Sequence, residues 1–159
     1  MSQLVSLVER VPSIAEYIEL IESVGFRRRD SRAIEIALRN SLYSVCAMAD
    51  SFLVGCGRVI GDGGLHLYLT DVIVRPAYQR QGTGTRIVAS LTRFVESVPY
   101  ENTVVGVFPL SGLTEFYARH GYKAQGPKEP AMLRWINRSD ARLYADPSRR
   151  AFGRAGGAG

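Results

Sequence analysis

Lysine, histidine, cysteine and tryptophan are all scarce in this chain, and no apolar run is long. Lys123 and Lys128 are the only lysines among 20 basic residues, so the positive charge is almost all arginine. The two cysteines, Cys46 and Cys56, sit in apolar surroundings and form no CxxC pair. Without a histidine cluster nearby they do not match a zinc site, and without a base beside them they do not match a catalytic thiol. They read as reduced core residues, and no metal is expected. No stretch approaches the ~20 apolar residues of a membrane-spanning helix. The opening MSQLVSLVER lacks the basic and apolar regions of a signal peptide. The expectation is a cytoplasmic protein with no membrane partner.

What is present fits an ordinary globular domain: 159 residues, 46% apolar and 22% charged. The formal net charge is +5. Beyond Asn137 five arginines face only Asp140 and Asp146, and the chain ends in GRAGGAG. Residues 138–159 therefore read as a basic, Gly-rich flexible tail, and residues 1–137 as a single domain. Such a tail could touch nucleic acid, but no recognition motif accompanies it, so a nucleic-acid partner is not expected. A homodimer is left open.

The patterning alternates helix and strand. Leu4–Val8 is a short apolar strand, and Ser13 with Glu16 three residues later forms a capping box. Ile14, Ile18 and Ile21, joined by Tyr17, share a helical face that Gly25 ends. Asp30 or Ser31 caps a second helix, with Ile34, Ala37 and Leu38 inward and Asn40-Ser41 at its end. Tyr43–Ala49, Phe52–Ile60 and Leu65–Val74 are strands joined by the turns Asp50-Ser51 and Gly61–Gly64, an antiparallel meander. Thr85–Val98 places Ile87, Val88, Leu91, Phe94 and Val95 at helical spacing. Thr103–Phe108 is a strand, Leu113–His120 a short helix stopped by Gly121, and Ala131–Ile136 a last strand. The order β-α-α-β-β-β-α-β-α-β specifies an α/β fold with a mixed, mostly antiparallel central sheet flanked by helices.

Between the third meander strand and the long helix lies RPAYQRQGTGTRIVASL, residues 75–91. Helix-start N–H groups have no intrahelical partner and carry partial positive charge. Glycines there let a chain wrap an anion closely, or simply make a tight turn. A Walker A loop would need a lysine after Gly84, and a dinucleotide fingerprint would need Gly or Ala at position 87, which is Ile.

The segment Gln79-Arg80-Gln81-Gly82-Thr83-Gly84 instead matches the pattern [QR]-x-x-G-x-[GA]. Further on, Phe116-Tyr117-Ala118-Arg119-His120-Gly121-Tyr122 pairs an aromatic-tyrosine step with a glycine-aromatic step. Together, in this order, they resemble the GNAT superfamily of acyl-CoA-dependent N-acetyltransferases over roughly residues 4–137.

That resemblance implies acetyl-CoA as cosubstrate and direct attack of a primary amine on its thioester. It assigns the CoA pyrophosphate to the backbone of Gln79, Arg80, Gln81, Gly82, Thr83, Gly84 and Thr85, and the pantetheine arm to the strand edge at Val72, Ile73 and Val74. Tyr117 becomes the general acid for the departing thiolate, and a backbone N–H near Val72 the oxyanion donor.

The base is open. Period-two alternation puts His66, Tyr68, Thr70 and Val72 on one face and Asp71 on the other. His66, or a water held by Tyr68 and Thr70, is the expected proton acceptor, and Asp71 is expected to be structural. Many relatives carry asparagine seven positions before the tyrosine, where this chain has Leu110.

The acceptor is expected to be a small-molecule amine met by the first two helices and their loop, which holds Arg27, Arg28 and Arg29. A protein or peptide lysine is the alternative acceptor, and a non-catalytic acyl-CoA-binding module the alternative function.

Overall fold

The computed structural model describes residues 4–126. The chain divides into two compact units, Met1–Phe108 and Pro109–Gly159. In the first, chain order runs β1 (Val5–Glu9), α1 (Ile14–Ser23), α2 (Ser31–Arg39), β2 (Tyr43–Ala49), β3 (Phe52–Gly61) and β4 (His66–Val74). A 3₁₀ turn at Pro76–Tyr78, α3 (Thr83–Glu96) and β5 (Val104–Val107) follow. In the second, α4 spans Thr114–Ala118. The five strands lie in the order β1-β2-β3-β4-β5. All neighbours are antiparallel except β4 and β5, which run parallel. The mostly antiparallel α/β architecture is the one the patterning specifies.

Local chemistry explains the helix ends. Ser13 Oγ accepts from the Glu16 N–H at 3.2 Å while the Glu16 carboxylate accepts from the Ser13 N–H at 2.8 Å, a closed capping box. Asp30 caps α2 through the Ala33 N–H, at 3.0 Å. Gly25, at φ +78°, supplies the left-handed residue that stops α1.

One face of the sheet buries Cys46, Met48, Cys56 and Ile73 against Tyr17, Leu20 and Ile21 of α1 and Ile34 and Leu38 of α2. The other face receives α3, which lies close because β3 carries glycine there. A Cβ at Gly57 would stand 2.5 Å from Ile87 Cγ2 and 2.9 Å from Leu91 Cδ1. Ile87, Val88 and Leu91 are fully buried, each stabilising the fold by about 1.5–3 kcal/mol. Cys46 and Cys56 are both buried free thiols, and burial pushes the Cys46 thiol up to about 11.

Three local expectations need correction. Ala37 is exposed, because α2 turns only the narrow Ile34–Leu38 stripe inward. Leu20, which the periodicity passed over, is wholly buried. The helix expected at Thr85–Val98 starts two residues earlier, at Thr83, so Gly84 lies inside it. The expected strand Ala131–Ile136 and the tail 138–159 lie outside the described residues.

Candidate active site

The two glycines of QRQGTG have different jobs. Gly82 is the N-cap of α3, at φ +81° and ψ −3°, a left-handed conformation that glycine adopts without strain. No side chain caps this helix. Its first intrahelical bond runs from the Arg86 N–H to the Gly82 carbonyl, 3.0 Å. The N–H groups of Thr83, Gly84 and Thr85 precede that bond, so they are the orphan donors of the first turn. Among the described residues, a Cβ on Gly82 would meet nothing within 4 Å, which leaves open space above the cap. Arg80, also at positive φ (+58°), bends the chain just before it. Gln79 and Gln81 brace the loop: their side-chain amides donate to the carbonyls of Val74 and Ala77, each at 2.9 Å. Arg80, Gln81 and Gly82 are exposed, whereas Thr83 is buried.

Among the described residues, the strand leading into this loop has a bare edge. Pairing of β4 with β5 runs from His66↔Val104 to Leu69↔Val107, so Thr70–Val74 extends beyond it. The Arg75 N–H donates to the Val54 carbonyl, 2.8 Å, next to the pairs Val74↔Gly55 and Ile73↔Cys56. Alternation of an antiparallel ladder then points the Ile73 N–H at β3 and those of Val72 and Val74 outward, at the free edge.

Between the pairs Cys56↔Ile73 and Arg58↔Thr70, β4 has one residue more than β3. The extra residue makes a β-bulge, and Asp71 occupies it at φ +51°, unusual for a residue with a side chain. The bulge overturns the simple alternation. Thr70 shares a face with its partner Arg58, and Asp71, expected on the face opposite Thr70, also reaches Arg58. Val72 and Val74 fall on the other face, with Gly55 and α3. The physical reason is the positive φ, which no period-two count anticipates.

Asp71 Oδ2 accepts from Arg58 Nε at 2.8 Å and lies 2.7 Å from Arg58 Nη2. The Tyr17 hydroxyl donates to the same oxygen at 3.0 Å. Arg58 is only 5% exposed, and its Nη1 donates to the Ala37 carbonyl (2.7 Å) and Ser41 Oγ (2.9 Å). Burial, then the adjacent Asp71 charge, raise the Tyr17 hydroxyl far above its ordinary range, so it stays protonated. Sequence reasoning missed Arg58. A lone arginine in FLVGCGRVIG and a lone aspartate in LHLYLTDVIV, on consecutive strands, were the available signal.

The remaining expected residues are spread along β4. His66 is its first residue, exposed, with Nδ1 3.6 Å from Asp62 Oδ2. It stands six positions before Val72, roughly 20 Å along a strand. Tyr68 stacks on Phe108, with centroids 5.9 Å apart, and lies beside Gly106, where a Cβ would come within 2.8 Å of its ring. Thr70 is half-buried, the first residue past the β5 pairing. In the second unit, Tyr117 is buried on α4, its ring edge-on to Phe116 (5.1 Å) and Tyr122 (6.2 Å). Burial, helped by Tyr122, pushes its hydroxyl up to about 12.

An uncapped helix start thus follows a bulged strand whose pairing with β5 stops at Leu69. Residues 21–136 match the family model described as an acetyltransferase (GNAT) domain, and the chain belongs to that family. It is 29% identical over 130 residues to an uncharacterized N-acetyltransferase, ycf52-like, of Prochlorococcus marinus, covering 79% of this chain and 71% of that one. An amino-acid acetyltransferase of Mycobacterium tuberculosis is 32% identical over 104 residues, 58% of each chain. A solved Staphylococcus aureus structure described as a probable acetyltransferase superposes with TM-score 0.78 and 26% identity, over 84% of this chain and all of that one. Among the described residues no helix is long and apolar enough to cross a membrane.

Proposed function

We propose that this protein moves the acetyl group of acetyl-CoA to a primary amine by direct attack, with a small-molecule amine as acceptor. The observation that carries the reading is the uncapped, left-handed Gly82 start of α3, placed directly after the bare edge of β4. Orphan N–H groups at such a start suit the CoA pyrophosphate, and Arg80 adds positive charge beside them. In this reading the backbone of Gln79–Thr85 holds the pyrophosphate, and Val72–Val74 pair with the pantetheine amides as an added strand would.

The chemistry follows from what an aminolysis needs. The thioester oxygen gains negative charge on attack, and the outward Val72 N–H is the donor proposed for it. The departing thiolate takes a proton from Tyr117, whose raised hydroxyl is fully protonated at neutral pH. For the attacking amine, a water held by Tyr68 and Thr70 is the favoured proton acceptor, since both stand nearer Val72 along the strand than His66 does. Asp71 is engaged by Arg58 and Tyr17, which suits a structural role better than that of a base.

A small amine acceptor draws support from the amino-acid acetyltransferase relative, whose name describes that protein alone. The deciding experiment measures free-thiol release from acetyl-CoA across a panel of amino acids, small amines and lysine peptides. Turnover on small amines supports the reading, and turnover confined to lysine peptides replaces the acceptor. Tight CoA binding with no turnover anywhere leaves a binding module.

A further inference from the structure

Asp71 does something a glycine would do more cheaply. It holds φ +51° in the middle of β4, a conformation that costs an L-residue roughly 1–2 kcal/mol. It is also fastened from several sides: by Arg58 from β3, by Tyr17 from α1, and by the Cys56 Sγ–H, which lies 3.4 Å from its carbonyl oxygen. Arg58 is in turn tied to the end of α2, through the Ala37 carbonyl and Ser41. The bulge is therefore clamped to both helices on that face as well as to its neighbouring strand. Val72, the next residue, is the one whose N–H faces the bare edge.

We propose that Tyr17, Asp71 and Arg58 are positioning residues for acyl transfer: their network holds the bulge, and so fixes the direction of the Val72 N–H. The inference rests on the acetyl-transfer reading above, in which that N–H meets the developing oxyanion. A fixed donor contributes only if its direction is set before the reaction, because reorienting a strand during the chemical step costs part of what the donor supplies. The network is suited to this. Arg58 Nε, Arg58 Nη2 and the Tyr17 hydroxyl converge on one carboxylate oxygen, and the buried guanidinium is itself held through Nη1 by the Ala37 carbonyl and Ser41, so the carboxylate has little freedom to swing. The CoA-binding loop, Gln79–Thr85, is anchored separately through Val74 and Ala77. Disturbing the network should therefore slow the chemistry without loosening the cofactor.

The test compares Asp71→Gly with Asp71→Ala and adds Tyr17→Phe. Both Asp71 variants leave Arg58 equally without its partner, but only glycine takes the positive φ freely. If the network acts by holding the bulge, Asp71→Gly keeps at least tenfold more kcat than Asp71→Ala. Tyr17→Phe, which spares the ion pair, lowers kcat about threefold to tenfold. The Kd for CoA, measured by calorimetry, stays within about threefold of the parent in all three.

Equal kcat in the glycine and alanine variants overturns the proposal, as does a loss of CoA affinity that accounts for the whole effect. Should neither Asp71 variant fold, Tyr17→Phe decides, and a parental kcat there overturns it. A parent protein that binds CoA but acetylates no amine overturns the acetyl-transfer reading itself, and this inference with it.

Discussion

The Arg86 N–H donates to the Gly82 carbonyl at 3.0 Å, and that bond marks where α3 begins. The N–H groups of Thr83, Gly84 and Thr85 precede it, so in the proposed reading Gly82 lies beside the pyrophosphate. Its φ of +81° costs glycine nothing and alanine roughly 1 kcal/mol. Among the described residues a Cβ there meets no atom within 4 Å, so Gly82→Ala should leave the fold nearly as stable as the parent. It would project instead into the space an anion must enter. Calorimetric titration is expected to show CoA bound at least tenfold more weakly, with the thermal midpoint lowered by only a few degrees. Unchanged CoA affinity in the folded variant would place the pyrophosphate elsewhere.

Tyr117 makes a prediction about pH. Its hydroxyl ordinarily ionises near 10, and burial with the neighbouring Tyr122 moves it up to about 12. A general acid works only while protonated, so kcat should show no alkaline fall attributable to Tyr117 below about pH 11. Tyr117→Phe removes the proton and not the ring, and should lower kcat by about 10²–10⁴ while leaving the Kd for CoA close to the parent. The pH–rate profiles of the two proteins, measured by free-thiol release, check both statements. A phenylalanine variant with near-parental kcat would remove Tyr117 from the mechanism.

How much of this was legible beforehand depended on whether a feature was local. The capping box at Ser13 and Glu16, the stop at Gly25 and the meander of β2, β3 and β4 each rest on a few consecutive residues, and all can be read directly. The glycine loop was legible as a helix start but not in detail, because nothing in QRQGTG says which glycine turns left-handed and which joins the helix. The bulge at Asp71 was invisible. The side chains that engage it come from an arginine thirteen positions earlier and a tyrosine fifty-four positions earlier, and period-two counting assumes that such an interruption does not exist. Ala37 failed for a related reason: a helical face is set by what it packs on, not by spacing alone.

The last prediction concerns acid stability, and Glu16 carries it. Arg10 grips its carboxylate with two bonds, at 2.7 and 2.9 Å, and the Ser13 N–H adds a third, at 2.8 Å. The Arg10 hydrogen bonds chiefly, then those of Ser13, bring the Glu16 carboxyl from 4.5 down to about 2. A carboxyl depressed on folding contributes stability above its unfolded value, and loses it as pH falls through the folded one. The window is therefore pH 4.5 down to 2. Both side chains touch solvent, which screens the pair, so the contribution is about 1 kcal/mol rather than the full shift. Glutamine at this position can still complete the capping box, so Glu16→Gln isolates the charge. Urea unfolding should show the variant less stable by about that amount at pH 7, with the gap narrowing below pH 4.5 and closing near pH 2. A gap that stays constant across that range would mean the capping geometry, and not the Arg10 ion pair, sets the contribution of Glu16.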